Sequence, residues 1–511
     1  MARVEHSRPA QASTDLRGER HRRVLEYRRY LRLSATGALI PGVGLIAAGR
    51  RVGWLVLGVV VAGLVAVGAY VTLAGRSGLL DAGTDPGTLR LVAVTLMVVA
   101  AVWLLVAMTG LRVLEPEGLN GAQRLLAALV VAAVASLVVG PLALAARNSL
   151  TQRDLLGSVF ADDDQHSLTV PTPAPDEDPW ADLARVNVLL LGSDSFPGRE
   201  GTRTDTVMVA SIDTTSGETT LFALPRNLED LPFPEGPLRD AYPDGFHAEP
   251  DSFLYSVYST VPAHLPEVFE GIEDPGAEAV KLGVGEALGM PIHFYVMVNI
   301  RGFEALVQAM GGIDIDVPYD IPIGTERDNS ADGCTEATGW IRKGDDQHLD
   351  GYQALWFARA RCGPGPVNND YERMRRQRCV IGAVAERADP IRMATSFQQI
   401  AAATEALVST DIPQRRVGAF VELGLRVRDA GIRSLPFTNE IVQSADPDYD
   451  VMREYVAEAL RPAPSATSPA PSSPSAGPTG EASLDPSPAG PSESPQPPSE
   501  SEGAQDLDAV C

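Results

Sequence analysis

Three long apolar runs stand out along the chain, at about 52–75, 88–110 and 122–146, each near the ~20 residues that cross a bilayer as a helix. A shorter run, Leu33 to Gly49, is interrupted by Pro41, Gly42 and Gly44 and stops at Arg50-Arg51, which fits an interfacial or re-entrant segment better than a full span. Counting it as a span makes four crossings and leaves the following domain inside the cell; leaving it out makes three. Residues 1–32 are polar and basic, carrying Arg17, Arg20, Arg22, Arg23, Arg28, Arg29 and Arg32 without a cleavable signal pattern, so they are expected on the cytoplasmic side. With three spans in the membrane region 33–147, everything after Asn148 is expected outside, in a multi-pass protein of the cell membrane.

Beyond the membrane the pattern changes period. Residues 148–182 read as an acidic, proline-stiffened linker containing Asp162-Asp163-Asp164, a solvated charge run, and Pro171, Pro173, Pro175 and Pro179. Between 183 and 461 lie short apolar runs of strand length, Val186–Leu191 stopped by Gly192, Val207–Ile212 and Thr219–Leu224. Helical stretches at Gly276–Leu288 and Gly302–Met310 follow, with strand-like Phe294–Val298 and Ile313–Val317 around the second. The alternation predicts an α/β domain, a sheet covered by helices on both faces. After Arg461 there is no Lys or Arg, only Pro, Ser, Ala, Gly and scattered acids, so 462–511 is expected to be a disordered tail.

Composition changes the picture in two ways. The hydrophobic share of 45% suffices for a core as well as membrane spans, and a formal net charge of −24 argues against a nucleic-acid partner, whose phosphates are bound by basic surfaces. The four cysteines lack the paired C-x-x-C spacing of a zinc site. In an extracytoplasmic domain the expected disulfide is Cys334 with Cys379, in preference to pairings of Cys362; free buried thiols are the alternative.

The candidate chemistry is a scatter of arginines and acids: Gly192-Ser193-Asp194, Arg203-Thr204-Asp205-Thr206, Pro225-Arg226, Arg359-Ala360-Arg361 and Asp370-Tyr371-Glu372-Arg373 running into Arg376-Gln377. Arginine is permanently charged and forks onto two phosphate oxygens, so several arginines converging with two carboxylates suit a pyrophosphate and its metal ion. Asp194 follows an apolar strand and Asp205 opens the next, so both are expected at one sheet edge, where hard carboxylates suit Mg2+. Arg359 and Arg361, two apart after Trp356-Phe357, are expected on one face of a strand; Arg373 and Arg376, three apart with Gln377 beside them, on one face of a helix. Pro225 fixes the entry of Arg226. Arg375 and Arg378 are read as surface salt-bridge arginines, and His348 as a turn residue. No Gly-x-Ser-x-Gly elbow, His-Glu-x-x-His site or Walker loop is present.

In order and content these blocks resemble the LytR-CpsA-Psr family of bacterial cell envelopes over nearly all of the soluble domain. Val188-Leu189-Leu190-Leu191-Gly192-Ser193-Asp194, Arg203-Thr204-Asp205-Thr206 and Leu224-Pro225-Arg226 resemble its first motifs. Phe294–Asn299 through Gly302-Phe303 to Gly311-Gly312-Ile313 resembles its central signature, and Leu349-Asp350-Gly351 to Arg361 with Asp370–Gln377 its last. The resemblance implies a central mixed sheet in an α/β/α domain. It implies a transferase that moves a glycopolymer from a polyprenyl-pyrophosphate carrier onto a peptidoglycan hydroxyl, forming a phosphodiester and releasing polyprenyl phosphate, with pyrophosphate hydrolysis as a side activity. Asp205, Arg226, Arg359 and Arg361 would then be catalytic, Arg203, Arg226, Arg359, Arg361, Arg373, Arg376 and Gln377 would bind pyrophosphate, and Asp194 with Asp205 would hold magnesium. One departure is Asn227, where the family usually has aspartate after Pro-Arg. The competing class is a membrane-anchored protein that holds the lipid pyrophosphate without turning it over, as a binding or transcription-attenuating regulator.

Overall fold

The computed structural model describes residues 9–162, 167–170, 179–180, 183–194, 202–249, 251–326, 333–387, 408–461 and 503–511. Its contacts divide the chain into an N-terminal helical unit and a larger α/β unit.

The helical unit holds α1 (Pro9–Leu39), α2 (Val43–Ala47), α3 (Val52–Leu73), α4 (Gly75–Thr84), α5 (Pro86–Val113) and α6 (Gly121–Val159). Helices α3, α5 and α6 are long and apolar enough to cross a membrane, matching the three expected runs. The marginal run Leu33–Gly49 does not form a span: its first half continues the basic helix α1, and the chain breaks at Pro41-Gly42 before the one-turn α2. Gly42 has φ 94° and its ideal Cβ would lie 2.4 Å from the Gly53 carbonyl oxygen, so only glycine fits this close crossing. Asp85 before Pro86 caps α5, and Asn120 with Gln123 forms a capping box on α6. Small residues Ala38, Ala107, Val131 and Ala135 form the seam between helices, while Leu55, Val59, Leu64 and Leu105 point outward, the reverse of a water-soluble bundle. Helix α6 persists to Val159, so the first part of the expected linker is helical.

The α/β unit opens with β1 (Arg185–Ser193), β2 (Thr204–Asp213) and β3 (Thr219–Leu224). It continues through α7 (Pro237–Ala241), α8 (Leu254–His264), α9 (Pro275–Leu288), β4 (Phe294–Asn299) and α10 (Ile300–Ala309). Next come β5 (Ile313–Val317), β6 (Ile321–Ile323), β7 (Gly339–Ile341), β8 (Gly344–Leu349), α11 (Gly351–Arg359), α12 (Asp370–Arg387) and β9 (Val408–Thr410). Last are α13 (Val417–Ala430), whose residues from Leu423 on belong to this unit and whose earlier ones group with the helical unit, β10 (Ile432–Pro436), α14 (Tyr449–Ala459), β11 (Gln505–Asp506) and α15 (Leu507–Val510). Seven strands form one sheet in the order β11-β10-β3-β2-β1-β4-β9. It is mixed: β1 pairs parallel with β4 and β3 with β10, while β1–β2, β2–β3, β4–β9 and β10–β11 are antiparallel.

Alternation along the central strands sorts their side chains into two layers. Val207, Val209, Phe222 and Leu224 pack with Val257 of α8, Val284 of α9 and Met452 of α14. Met208, Ala210, Leu221 and Ala223 face the other way, onto Met374 of α12. The result is the expected helix-covered sheet. A further core lies under the β5–β8 and β6–β7 pairs, where Ile313, Ile321 and Ile341 meet Trp356 and Phe357 of α11. His348, expected in a turn, lies on β8, its ring nitrogen 2.6 Å from Asp314.

One charged cluster is sunk in this unit. Lys281 Nζ, fully buried, lies 2.5 Å from Asp411 and 3.3 Å from Glu278, themselves almost wholly covered. Asp411 also accepts the Tyr295 N–H at 2.7 Å, and Glu278 accepts the Leu168 N–H at 3.1 Å.

All four cysteines are bridged, but not as expected: Cys334 pairs with Cys362 and Cys379 with Cys511. The expected Cys334–Cys379 bridge is excluded because Cys379, on α12, is met by the chain terminus. There α15 packs on α12, Leu507 is 2% exposed, and β11 pairs with β10. The expectation of a disordered tail therefore fails for its last residues, 503–511. Leu507, Val510 and Cys511 form a short apolar patch that the polar composition of the whole segment conceals.

Candidate active site at the end of the central strands

Strand β1 runs out at Ser193, where the ladder with β2 shifts register between Gly192 and Ser193. A Cβ on Gly192 would lie 2.9 Å from the Thr206 Cβ, so glycine lets the two strands close at this point. Asp194 follows, 6% exposed, its N–H donating to the Arg203 carbonyl at 3.2 Å and its Oδ1 accepting the Arg203 N–H at 2.9 Å. This pair of bonds sets Asp194, just past β1, and Asp205, on β2, at one sheet end, as expected.

Asp205 is the hub. Its Oδ1 accepts from Arg226 Nη1 at 2.5 Å, its Oδ2 lies 3.0 Å from Arg361 Nη2, and its backbone carbonyl accepts from Arg373 Nη1 at 3.1 Å. Burial alone would push the Asp205 carboxyl up, but Arg361 and Arg226 outweigh it and hold it below the usual carboxylate range. Burial and the neighbouring Arg373 pull the Arg361 guanidinium down, while Asp205 supports it. Arg373 is fixed by a fork onto both oxygens of Asp370 at 2.8 Å. Burial raises the Asp370 carboxyl, and Arg373 more than reverses this.

The expected site residues separate into two groups. Arg226, Arg361 and Arg373 converge on Asp205, while Arg203 bonds Asp194 through its backbone and Asp251 through its guanidinium. Arg359 and Arg361 do not lie on a strand: Arg359 ends helix α11, exposed and 4.8 Å over the Trp356 ring, and Arg361 lies beyond the helix. A helix followed by a bend sends residues two apart to different places. Asp350 and Gln353 start α11 with a capping box, so its length, and with it the place of Arg361, is set from the front.

Arg376 is also not a surface phosphate ligand. It is 0% exposed, and its guanidinium donates to the carbonyls of Phe357 and, at 2.6 Å, Ala360. Those carbonyls end α11 and would otherwise be unpaired, so Arg376 holds the turn that delivers Arg361. Gln377 is half-buried on α12. Arg375 pairs with Glu372 at 2.9 Å, as a salt-bridge arginine should, whereas Arg378 is buried and donates to Ser434.

Two residues of the network carry no mark in the sequence. Asp251 takes the Arg203 guanidinium at 3.2 Å, and the Tyr255 ring lies under both Arg203 and Arg226. Asp370 and its partner Arg373 both belong to one sequence motif, three residues apart on α12.

The site is thus a group of arginines gathered around one shared aspartate at the end of the central strands of an α/β/α domain. The chain belongs to the LytR_cpsA_psr family, which matches residues 161–459. It is 29% identical over 231 residues to the polyisoprenyl-teichoic acid–peptidoglycan teichoic acid transferase TagU of Enterococcus faecalis, covering 44% of this chain and 61% of that protein. It is 31% identical over 125 residues to TagV of Bacillus subtilis, covering 24% of this chain and 30% of that one. Among solved structures it resembles the LytR-Csp2A-Psr enzyme of Actinomyces oris, at 16% identity and a TM-score of 0.38 over 59% of this chain and 96% of that one. The chain thus spans less than two thirds of the length of these transferases.

Proposed function

We propose that this protein is a phosphotransferase that moves a glycopolymer from a polyprenyl-pyrophosphate carrier onto a hydroxyl of peptidoglycan. The observation that carries the reading is the half-exposed cluster in which Arg226 and Arg361 share Asp205. The acceptor hydroxyl gives up its proton to water, its oxygen bonds to the phosphorus nearer the sugar, and the bond from that phosphorus to the bridging oxygen breaks. Polyprenyl phosphate leaves with that oxygen and its electron pair. The family membership and the names of its relatives support the same transfer.

Arg226 and Arg361 bind and orient the pyrophosphate and offset the charge that grows on its oxygens, which is most of what phosphoryl transfer asks of a protein, while Arg373, buried against Asp370 and the Asp205 carbonyl, holds the site in place. Asp205, held below the ordinary carboxylate range, is a weak base, and its work is to keep two guanidinia together. Magnesium is part of the proposal. Among the described residues no three acids, histidines or cysteines stand together as a metal cage. Asp194, just past β1, and Asp205, on β2, are two hard carboxylates of the kind taken by the ion that uses one or two carboxylates and fills the rest with phosphate and water. When bound, it would supply further neutralisation of phosphate charge.

The domain is placed outside the membrane in this reading, a placement supported by three apolar helices, a basic N-terminal segment and two disulfides. The test is release of polyprenyl phosphate by the full chain, in detergent, from a lipid-linked glycopolymer with peptidoglycan as acceptor. Release is expected to fall in Asp194→Asn and to recover partly with excess magnesium, while the loss in Arg361→Ala is the same at every magnesium concentration. No release by the wild type with donor and acceptor present would overturn the function.

A further inference from the structure

Tyr255 stands between two arginines of the site. It is the second residue of α8, and its N–H donates to the Arg226 carbonyl at 2.9 Å, tying the Pro225-Arg226 turn to the start of that helix. The Arg203 guanidinium carbon lies 5.2 Å from the ring centroid and that of Arg226 5.6 Å. Each arginine has a different acid at its far side, Asp251 for Arg203 at 3.2 Å and Asp205 for Arg226 at 2.5 Å. Phe253 stacks on the same ring at 5.4 Å between centroids. Burial, then Asp251 beside the hydroxyl, push the Tyr255 phenol above its ordinary value, so it stays neutral.

Two guanidinia drawn to one place repel each other, and each costs side-chain entropy to hold still. An aromatic face attracts a cation by about 0.5–1 kcal/mol at exposed sites and about 2 kcal/mol or more when desolvated, and one ring here meets two of them. The acids alone fix one end of each arginine and leave the long side chains free to swing apart; the ring is the common surface that both touch.

We propose that Tyr255 is a positioning residue that presets Arg203 and Arg226 as one pyrophosphate clamp, with its ring as the active part and Asp251 steadying the Arg203 side. The inference rests on the pyrophosphate reading of the site given above, and it adds a residue outside the arginine and aspartate motifs. Ring and hydroxyl are separable by substitution. Tyr255→Phe keeps the surface for both cations; Tyr255→Leu keeps bulk and loses it.

The experiment is binding of farnesyl pyrophosphate to the full chain in detergent micelles, with Arg226→Ala as reference. Wild type should bind, Tyr255→Phe should bind within about twofold, and Tyr255→Leu should bind about tenfold to a hundredfold more weakly. In an Arg226→Ala background Tyr255→Leu should add clearly less than it does alone, a coupling that a merely structural role does not produce. Asp251→Asn, which leaves the ring in place, supplies the independent variant and should weaken binding less than Tyr255→Leu. Wild-type binding by Tyr255→Leu, beside a loss in Arg226→Ala, would overturn the positioning role and leave the pyrophosphate site standing. Equal loss in Tyr255→Phe and Tyr255→Leu, or additive losses with Arg226→Ala, would overturn it too. Failure of the wild type itself to bind would remove the site reading, and this inference with it.

Discussion

Two charged networks of the α/β unit, one around Lys281 and one around Asp205, are built on opposite terms. In the Lys281 cluster one cation lies between two acids, all three almost without solvent, and backbone N–H groups of Tyr295 and Leu168 take up further carboxylate oxygens. Around Asp205 the proportions invert. One acid is shared by Arg226 and Arg361, whose side chains are 27% and 32% exposed. A buried pair is committed, because removing either partner strands the other charge in the core. A half-exposed group with arginine in excess keeps cationic capacity that an anion can use. Stoichiometry and exposure, rather than the presence of ion pairs, distinguish these two networks.

The largest effects should fall on opposite readouts. Lys281→Met leaves Glu278 and Asp411 facing each other and is expected to cost about 3–5 kcal/mol of stability, seen as a large drop in melting temperature. Transfer per folded molecule should change little. Arg361→Ala should lower transfer on the order of a hundredfold, by analogy with loss of one preorganised donor, and leave melting nearly unchanged. Arg359→Ala, exposed and in contact with Trp356 rather than Asp205, should lose less than Arg361→Ala. The comparison breaks if Lys281→Met is catalytically dead while fully folded, or if Arg361→Ala melts as early as Lys281→Met.

The two networks were unequally legible in the sequence. The Arg and Asp motifs of the site could be quoted in order because each sits at a strand end or helix start that local pattern reveals: Asp194 after an apolar run, Asp205 before one. Strand β3 was found at its observed limits, Thr219–Leu224, and β5 at Ile313–Val317. Arg373 and Arg376 share a helix at the predicted spacing, yet one meets the Asp205 backbone and the other caps α11. Residue spacing gives a face and not a partner. Tyr255 and Asp251 reach the site from a different segment, and Lys281, Glu278 and Asp411 from two, so no local pattern marked them. The disulfides failed for the same reason, since connectivity follows from long-range packing of a terminus that composition called disordered.

Acidity offers a finer separation. Burial pushes the Asp411 carboxyl up to about 6, against the pull of Lys281. The native state therefore holds this proton more tightly than the unfolded chain, whose aspartates titrate near about 4. The group's stabilising contribution is full below about 4 and is lost as pH rises toward about 6. Asp205 and Asp370 run the other way. Their folded carboxyls lie below the ordinary range, so their contribution is present above about 4 and is lost as pH falls through the lowered values. Melting temperature followed from acid to neutral pH should show both slopes, superimposed on those of the other acids. Asp411→Asn should remove the component that falls between about pH 4 and 6, and Asp370→Asn should soften only the loss below about 4. An unchanged slope between those values in Asp411→Asn would show that burial does not govern that carboxyl.

The smallest effect is expected at Asn227, where the family usually carries an acid. Asparagine there removes a charge that would orient the neighbouring arginine, so the sequence points to a weakened site. The structure supplies the orientation from elsewhere. Arg226 is already held by Asp205 at 2.5 Å and rests against Tyr255, while Asn227 itself is exposed. A carboxylate at an exposed position would be screened by solvent and adds little to an arginine with a half-buried partner. Asn227→Asp should therefore change transfer by less than about threefold, within the range of an exposed ion pair. A gain approaching the loss seen in Arg361→Ala would mean that Arg226 is poorly held in the native chain, and that Asp205 and Tyr255 do not set it as the geometry indicates.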